Sequence, residues 1–150
     1  MTITASPSAP GVTRLALELP WDARSPAIAR RAAARWLESA AYPRTADAVL
    51  IVSELVTNVV RHTRGPCRLA LTEDGAYLDI AVTDDSEDMP DVHQPTDFGR
   101  PGGFGLKIMH HLGDSVRVVP RIGGKTVHVT LRVPVPPHDR RRPHEGPGAP

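Results

Sequence analysis

The most constraining feature of this chain is a long apolar run that carries polar side chains on one face. From Ala48 to Val60 the residues are mostly Val, Leu and Ile, which predicts a core helix. Glu54 and Asn58 share one face of that helix with Arg61. Buried polar groups without partners cost roughly 1–3 kcal/mol each, so a hydrated cation with phosphates would suit this face. An ion pair between Glu54 and Arg61 on a solvated strip explains the segment alone equally well.

Charge balance and cysteine content exclude several classes of protein. The chain has 18 Lys plus Arg against 17 Asp plus Glu, so no global field draws it to nucleic acid or to an anionic membrane. The single cysteine, Cys67, cannot form an internal disulfide or a thiolate metal site by itself. No apolar run approaches the roughly 20 residues of a membrane span, and the first residues lack the pattern of a signal peptide. We therefore expect a soluble cytoplasmic protein.

Length and proline distribution predict one domain with two tails. A chain of 150 residues is the size of a single domain with a real core. Prolines concentrate near the start and in the last part of the chain, where they alternate with Arg140–Arg142. We expect disordered tails over residues 1–11 and 135–150, and a folded domain over residues 12–134.

The residue patterns between the tails predict helices and strands in a defined order. Pro26 in a first turn and Ser25 as its cap mark the start of one helix, and Pro43 starts the next. Asp74-Gly75 and Gly123-Gly124 mark hairpin turns. The predicted elements are an edge strand at 12–19, helices at 25–41 and 43–63, strands at 68–73 and 77–83, a long loop at 86–103, a short helix at 104–112, and strands at 115–119 and 126–133.

This order predicts the fold class. Consecutive hairpins give a mixed, mostly antiparallel sheet, and the helices must bury their apolar sides on it. The expected architecture is an α+β two-layer sandwich with helices on one face. Its open sheet face is either solvated or buried in a homodimer.

A glycine-rich segment leads from the predicted loop into the short helix. It reads Gly99-Arg-Pro-Gly102-Gly103-Phe-Gly105-Leu106. Glycines at such a junction let backbone N–H groups approach an anion, and the helix N-terminus adds partial positive charge, so phosphate binding is chemically sensible. Taken alone, the segment is more often a flexible hinge. It matches neither the phosphate loop that ends in Gly-Lys-Ser/Thr nor the dinucleotide fingerprint.

Asp84 ends an apolar strand, where its carboxylate can accept a hydrogen bond from an exocyclic amine such as that of adenine. Considered by itself, it is more typical of a turn residue at a strand end.

Four motifs occur in one order along the chain. They are Glu54-x3-Asn58, then Asp84-x-Ser86, then Gly103-x-Gly105-Leu106, then Gly124-Lys-Thr126. Together they resemble the ATPase superfamily of gyrase, the heat-shock chaperone, histidine kinases and MutL, and in particular its bacterial branch of anti-sigma-factor serine kinases. The resemblance covers about residues 15–133 and implies the Bergerat ATP-binding fold. The chain departs from the wider superfamily after Asp84, where Asp85-Ser86 replaces glycines, and at His128, where close relatives often carry Trp.

The resemblance implies roles for individual residues. Glu54 would be the catalytic base toward a target serine, and Asn58 would hold Mg²⁺. Asp84 would bind the adenine amine with support from Thr126. The remaining ATP-contacting residues would be Arg61, His62, Arg100, Gly102, Gly103, Phe104, Gly105 and Leu106.

The implied function is a serine kinase that uses ATP and Mg²⁺ to phosphorylate an anti-anti-sigma (STAS-type) antagonist and otherwise sequesters a sigma factor. Arg24, Arg31 and Arg35 form a basic helix side that is either partner-facing or simply solvated. The alternative function is a catalytically silent, nucleotide-gated regulator. A sensor histidine kinase is disfavoured, because only about eleven residues precede the first predicted strand.

Overall fold

The computed structural model describes residues 3–8, 11–87 and 112–134, which form two helices and one sheet of six strands. In chain order these elements are β1 (Ile3–Ser8), β2 (Val12–Leu19), α1 (Ser25–Ser39), α2 (Thr45–His62), β3 (Cys67–Glu73), β4 (Tyr77–Asp84), β5 (Ser115–Arg121) and β6 (Gly124–Arg132).

Every strand pair in the described sheet is antiparallel, and the strand order is β1-β2-β3-β4-β6-β5. The β3–β4 hairpin turns at the predicted Asp74-Gly75 pair, where Gly75 has a φ of 89°. Asp74 Oδ1 accepts backbone hydrogen bonds from Ala76 at 2.9 Å and from Tyr77 at 2.8 Å. The β5–β6 hairpin turns at Gly123, with a φ of 77°. Both turns need the left-handed backbone that glycine adopts without strain.

The hydrophobic core lies between the sheet and the two helices. Strand residues alternate between a buried inner face and a more exposed outer face, as the period of two requires. The helices pack against each other, α1 contacts β2, and α2 lies across β3, β4 and β6. The α+β two-layer sandwich predicted from the sequence is therefore confirmed. Neither of the two described helices has the combination of length and apolar character that crossing a membrane demands.

Helix α1 begins and ends differently from the prediction. Ser25 is the first residue of the helix and does not cap it, because its hydroxyl donates to the carbonyl of Pro20 at 2.6 Å. At the other end Ala41 adopts a φ of 52°, and the N–H groups of Ala41 and Tyr42 donate to the carbonyls of Glu38 and Leu37, each at 3.0 Å. This Schellman geometry stops the helix and directs Tyr42 into the core.

The prediction of a disordered tail over residues 1–11 is wrong for Ile3–Ser8, which forms β1. This strand pairs with β2 from Ile3 opposite Leu17 to Ser8 opposite Val12. The sequence had suggested that β2 is an edge strand. In the structure β1 is the edge strand, and β2 lies between β1 and β3. The proline in β1 is compatible with an edge position, where a missing N–H is tolerated.

Candidate functional site

The polar side chains of α2 lie beside its buried stripe. Glu54 and Asn58 are half-buried, while Arg61 and His62 at the end of the helix are exposed. The buried apolar residues of the helix are Ala48, Ile51, Val52, Leu55, Val56 and Val59. The predicted pair is therefore at the margin of the core.

One carboxylate oxygen of Glu54 lacks a hydrogen-bond donor among the described residues. Oε2 is buried and accepts no hydrogen bond from any described residue. An ion pair between Glu54 and Arg61 was the alternative interpretation of the sequence. The described part of the chain does not form this ion pair. A buried acceptor of this kind is costly, and such exceptions call for an explanation in functional or structural terms.

Asp84 is almost fully buried at the end of β4. Its residue exposure is 2 %, and it shares the inner face of the strand with Ile80 and Val82. Oδ1 accepts a hydrogen bond from the backbone N–H of Ser86 at 2.8 Å and from Lys125 Nζ at 3.0 Å. The predicted adenine-binding carboxylate is thus one partner of a buried ion pair.

Lys125 is the functional candidate that the sequence reasoning missed. It pairs with Asp84 in the β4–β6 register and lies 6 % exposed on the inner face. Thr126, which was expected to support Asp84, points to the outer face instead, and its hydroxyl bonds to that of Thr83 at 2.8 Å. The signal was present in the alternation, because Lys125 has the same parity as the apolar Val127 and Val129.

The β5–β6 turn also holds the residues that follow Asp84. Arg121 forms an ion pair with Asp85 at 2.9 Å, and the N–H of Gly123 donates to Glu87 Oε1 at 3.1 Å. Gly124 is buried, and a Cβ at this position would overlap the carbonyl oxygen of Asp84. Glycine therefore permits the close approach of the two strands that brings Lys125 to Asp84.

Cys67 faces Asp84 across the β3–β4 pair. Burial, with a smaller effect of the negative charge of Asp84, raises the pKa of this thiol to about 11. The side chain is therefore a neutral thiol and a packing residue near neutral pH.

The glycine-rich part of the predicted site lies outside the described residues. This applies to Arg100, Gly102, Gly103, Phe104, Gly105 and Leu106, and to most of the predicted helix at 104–112. The described end of that segment, Leu112, is fixed to the start of α2, because its carbonyl accepts a hydrogen bond from Arg44 at 2.8 Å.

Comparison with known proteins identifies the fold. The sequence profile of the histidine kinase-like ATPase domain matches residues 19–132, which include α2, Asp84 and Lys125. The chain belongs to this family.

A curated relative of this histidine kinase-like ATPase domain is the anti-sigma F factor of Pasteuria penetrans. It is 35 % identical over 101 residues, which cover 58 % of this chain and 67 % of the relative. A similar solved structure contains the RsbU and RsbW domains of a Mycobacterium tuberculosis protein, with a TM-score of 0.63 and 22 % identity. That match covers 80 % of this chain but 32 % of the solved chain, so this chain spans about a third of the length of the solved chain.

These comparisons confirm the superfamily and the anti-sigma-factor branch that the four motifs predicted. Membership of an ATPase-like family implies nucleotide binding. The roles of individual residues stay predictions.

Proposed function

We propose that this protein is an ATP-dependent protein-serine kinase of the anti-sigma-factor type. It phosphorylates an anti-anti-sigma antagonist of the STAS type, sequesters a sigma factor in the cytoplasm, and thereby regulates transcription. Family membership and the similarity to an anti-sigma F factor support this proposal. A homodimer contact is proposed for the outer face of the sheet, on which neither described helix packs.

The observation that carries the catalytic part of the proposal is the unpartnered Oε2 of Glu54. A general base must present a carboxylate oxygen that can accept the proton of the substrate hydroxyl. Glu54 has such an oxygen, since no described residue donates to it. The side chain of Glu54 is half-buried at the margin of the core. Its electrostatic interactions are stronger there than they would be in bulk water.

Asn58 is the proposed magnesium ligand. Its amide lies one helical turn after Glu54 and is half-buried on the same side of α2. The described residues contain no group of three or more His, Cys, Asp or Glu side chains able to hold a metal. The single amide oxygen of Asn58 fits Mg²⁺, because this ion is commonly held by one or two protein oxygens together with phosphates and water. When bound, the ion would neutralise charge on the phosphates.

Further contacts to ATP are proposed for residues around this pair. Arg61 and His62 are exposed at the end of α2, where they can contact phosphates. Asp84 would accept a hydrogen bond from the adenine amine. Arg100 and the glycine-rich segment with Phe104 and Leu106 would enclose the phosphates.

The proposed partner surface is the basic side of α1. Arg31 and Arg35 are exposed there, and Arg24 is exposed but paired with Asp22 at 3.1 Å. Two exposed guanidinium groups that form no ion pair with a described residue would suit an acidic partner surface. An interaction screen of the purified protein against all sigma factors and antagonists of the same genome would identify the partners.

The kinase proposal is tested by incubating the protein with labelled ATP, Mg²⁺ and candidate antagonists. We expect transfer of label to a serine of one antagonist, and a loss of transfer by about 10²–10⁴-fold in Glu54→Gln with nucleotide binding retained. Glu73→Gln, which changes a partly exposed glutamate at the end of β3 remote from Asp84, is the matched control and should transfer at the wild-type rate. If the wild type binds ATP but labels no candidate, a silent nucleotide-gated regulator becomes the better description.

A further inference from the structure

The ion pair between Lys125 and Asp84 uses one oxygen of the carboxylate and leaves the other. Both hydrogen bonds to the Asp84 side chain from described residues fall on Oδ1. The same ammonium of Lys125 donates to the carbonyl of Ser86 at 3.2 Å. These three bonds fix the carboxylate relative to the end of β4, and Oδ2 remains as an acceptor.

The charge of Lys125 has a specific consequence for a carboxylate this deeply buried. Transfer of an isolated carboxylate from water into a protein interior is unfavourable, so a counter-charge in direct contact with the carboxylate stabilises its buried position. The side chains of Lys125 and Asp84 are 8 % and 2 % exposed, so solvent screens their attraction weakly. Lys125 is the cation in contact with Asp84, whereas the charged Arg121 contacts the neighbouring Asp85.

We propose that Lys125 is a positioning residue that holds Oδ1 of Asp84, leaves Oδ2 as the acceptor for a base, and thereby sets the preference of the site for a 6-aminopurine over a 6-oxopurine nucleotide. This inference rests on the proposed binding of nucleotides at Asp84. Lys125 acts through Asp84 and makes no contact of its own with the base.

The chemistry of the two bases explains the preference. Adenine presents a 6-amino donor, which an ionised carboxylate accepts, while guanine presents a 6-oxo acceptor at the same place. Two acceptors facing each other repel, so a carboxylate oxygen of Asp84 held in this place disfavours guanine. Without the ammonium of Lys125 on Oδ1 the carboxylate can turn away from this place, so the discrimination weakens.

The test compares the affinities of ATP and GTP, each with Mg²⁺, by calorimetry on wild type, Lys125→Met and Lys125→Arg. We expect wild type to prefer ATP. Lys125→Met should lower the ATP-to-GTP affinity ratio by about tenfold or more, and Lys125→Arg should retain most of the wild-type ratio. Arg121→Met is the matched control. It removes the other ion pair of the same turn, which is solvent-exposed, and should leave the ratio unchanged.

The outcomes separate this inference from the proposed function. A wild-type ratio in Lys125→Met, or an equal loss in Arg121→Met, overturns the role of Lys125 while nucleotide binding stands. Absence of binding to either nucleotide by the folded wild type overturns both. Where Lys125→Met does not fold, Lys125→Gln replaces it, because its shorter, uncharged side chain does not reproduce the contact of the ammonium with Oδ1 of Asp84. A lowered ratio in that variant supports the inference, and an unchanged ratio contradicts it.

Discussion

Strands β4 and β6 carry a carboxylate with a nitrogen partner on each face of the sheet, and the two pairs are equal in length but not in environment. On the inner face Asp84 and Lys125 are 3.0 Å apart, with side-chain exposures of 2 % and 8 %. On the outer face Asp79 and His128 are also 3.0 Å apart, with exposures of 33 % and 22 %. Thr130 adds a longer hydrogen bond to Asp79 at 3.4 Å.

The comparison shows that distance alone does not rank these pairs. The inner charges have lost their water and depend on each other, so removing one leaves the other unpaired in the core. The outer groups keep part of their hydration, and water replaces a lost partner at little cost. The inner pair also lies at the predicted nucleotide site. The pair with the larger desolvation penalty is therefore the one for which a function is proposed.

The largest expected effect is the loss of stability when the inner pair is broken. Lys125→Met should lower the free energy of unfolding by about 3–5 kcal/mol, because it leaves the Asp84 carboxylate buried without its counter-charge. Asp79→Asn on the outer face should change it by less than about 1 kcal/mol. Urea denaturation of the purified variants measures both values.

A double variant checks the cause of this loss. Asp84→Asn combined with Lys125→Met removes both charges, and should recover a large part of the stability lost in Lys125→Met alone. A cost for Lys125→Met no greater than that for Asp79→Asn would contradict the distinction between the two faces.

A smaller effect is expected from Gly124→Ala, which tests the close approach that forms the inner pair. The added methyl would overlap the carbonyl oxygen of Asp84, so the strands must separate, at a cost of about 1–3 kcal/mol. Gly65→Ala is the control, because a methyl group added there would meet nothing within 4 Å beyond its immediate chain neighbours. It should change the free energy of unfolding by no more than about 0.5 kcal/mol. Equal costs for the two substitutions would show that the approach at Gly124 is not tight.

Local signals in the sequence predicted much of the fold. Helix α2, the strands β2, β3 and β4 and both hairpin turns follow from apolar periodicity and from the Asp-Gly and Gly-Gly pairs, which act over a few residues. The half-buried position of Glu54 and Asn58 follows from the same helical periodicity. Family membership followed from the order of four motifs, none of which is specific alone.

The errors concern features that distant parts of the chain decide. Strand β1 has weak apolar character and is specified by its pairing with β2. Ser25 has the residue type of a cap, but its hydroxyl finds the carbonyl of Pro20. Lys125, which the sequence analysis did not single out, contacts Asp84, because the register of β6 against β4 places neighbouring residues on opposite faces, and the role of Thr126 stays a prediction.

The smallest expected effect concerns Tyr42. Its hydroxyl is a buried polar group without a hydrogen-bond partner among the described residues, whereas the buried carboxylate of Asp84 is paired with Lys125. Tyr42→Phe removes this unpaired group and should raise the free energy of unfolding at neutral pH by about 1 kcal/mol, as measured by urea denaturation. A fall in stability would show that the hydroxyl has a partner in solution.

The same residue gives this prediction a pH dependence of known sign. Burial, opposed by the positive charge of Arg44, raises the pKa of Tyr42 to about 12 from the usual 10.0. Between pH 10 and 12 the unfolded chain releases this proton first and binds fewer protons than the folded chain, so the free energy of unfolding falls as pH rises. The fall should reach about 2 kcal/mol and be absent from Tyr42→Phe. Cys67 makes a separate contribution between pH 9 and 11, which Cys67→Ala removes, so each variant should lose only its own part of the alkaline slope.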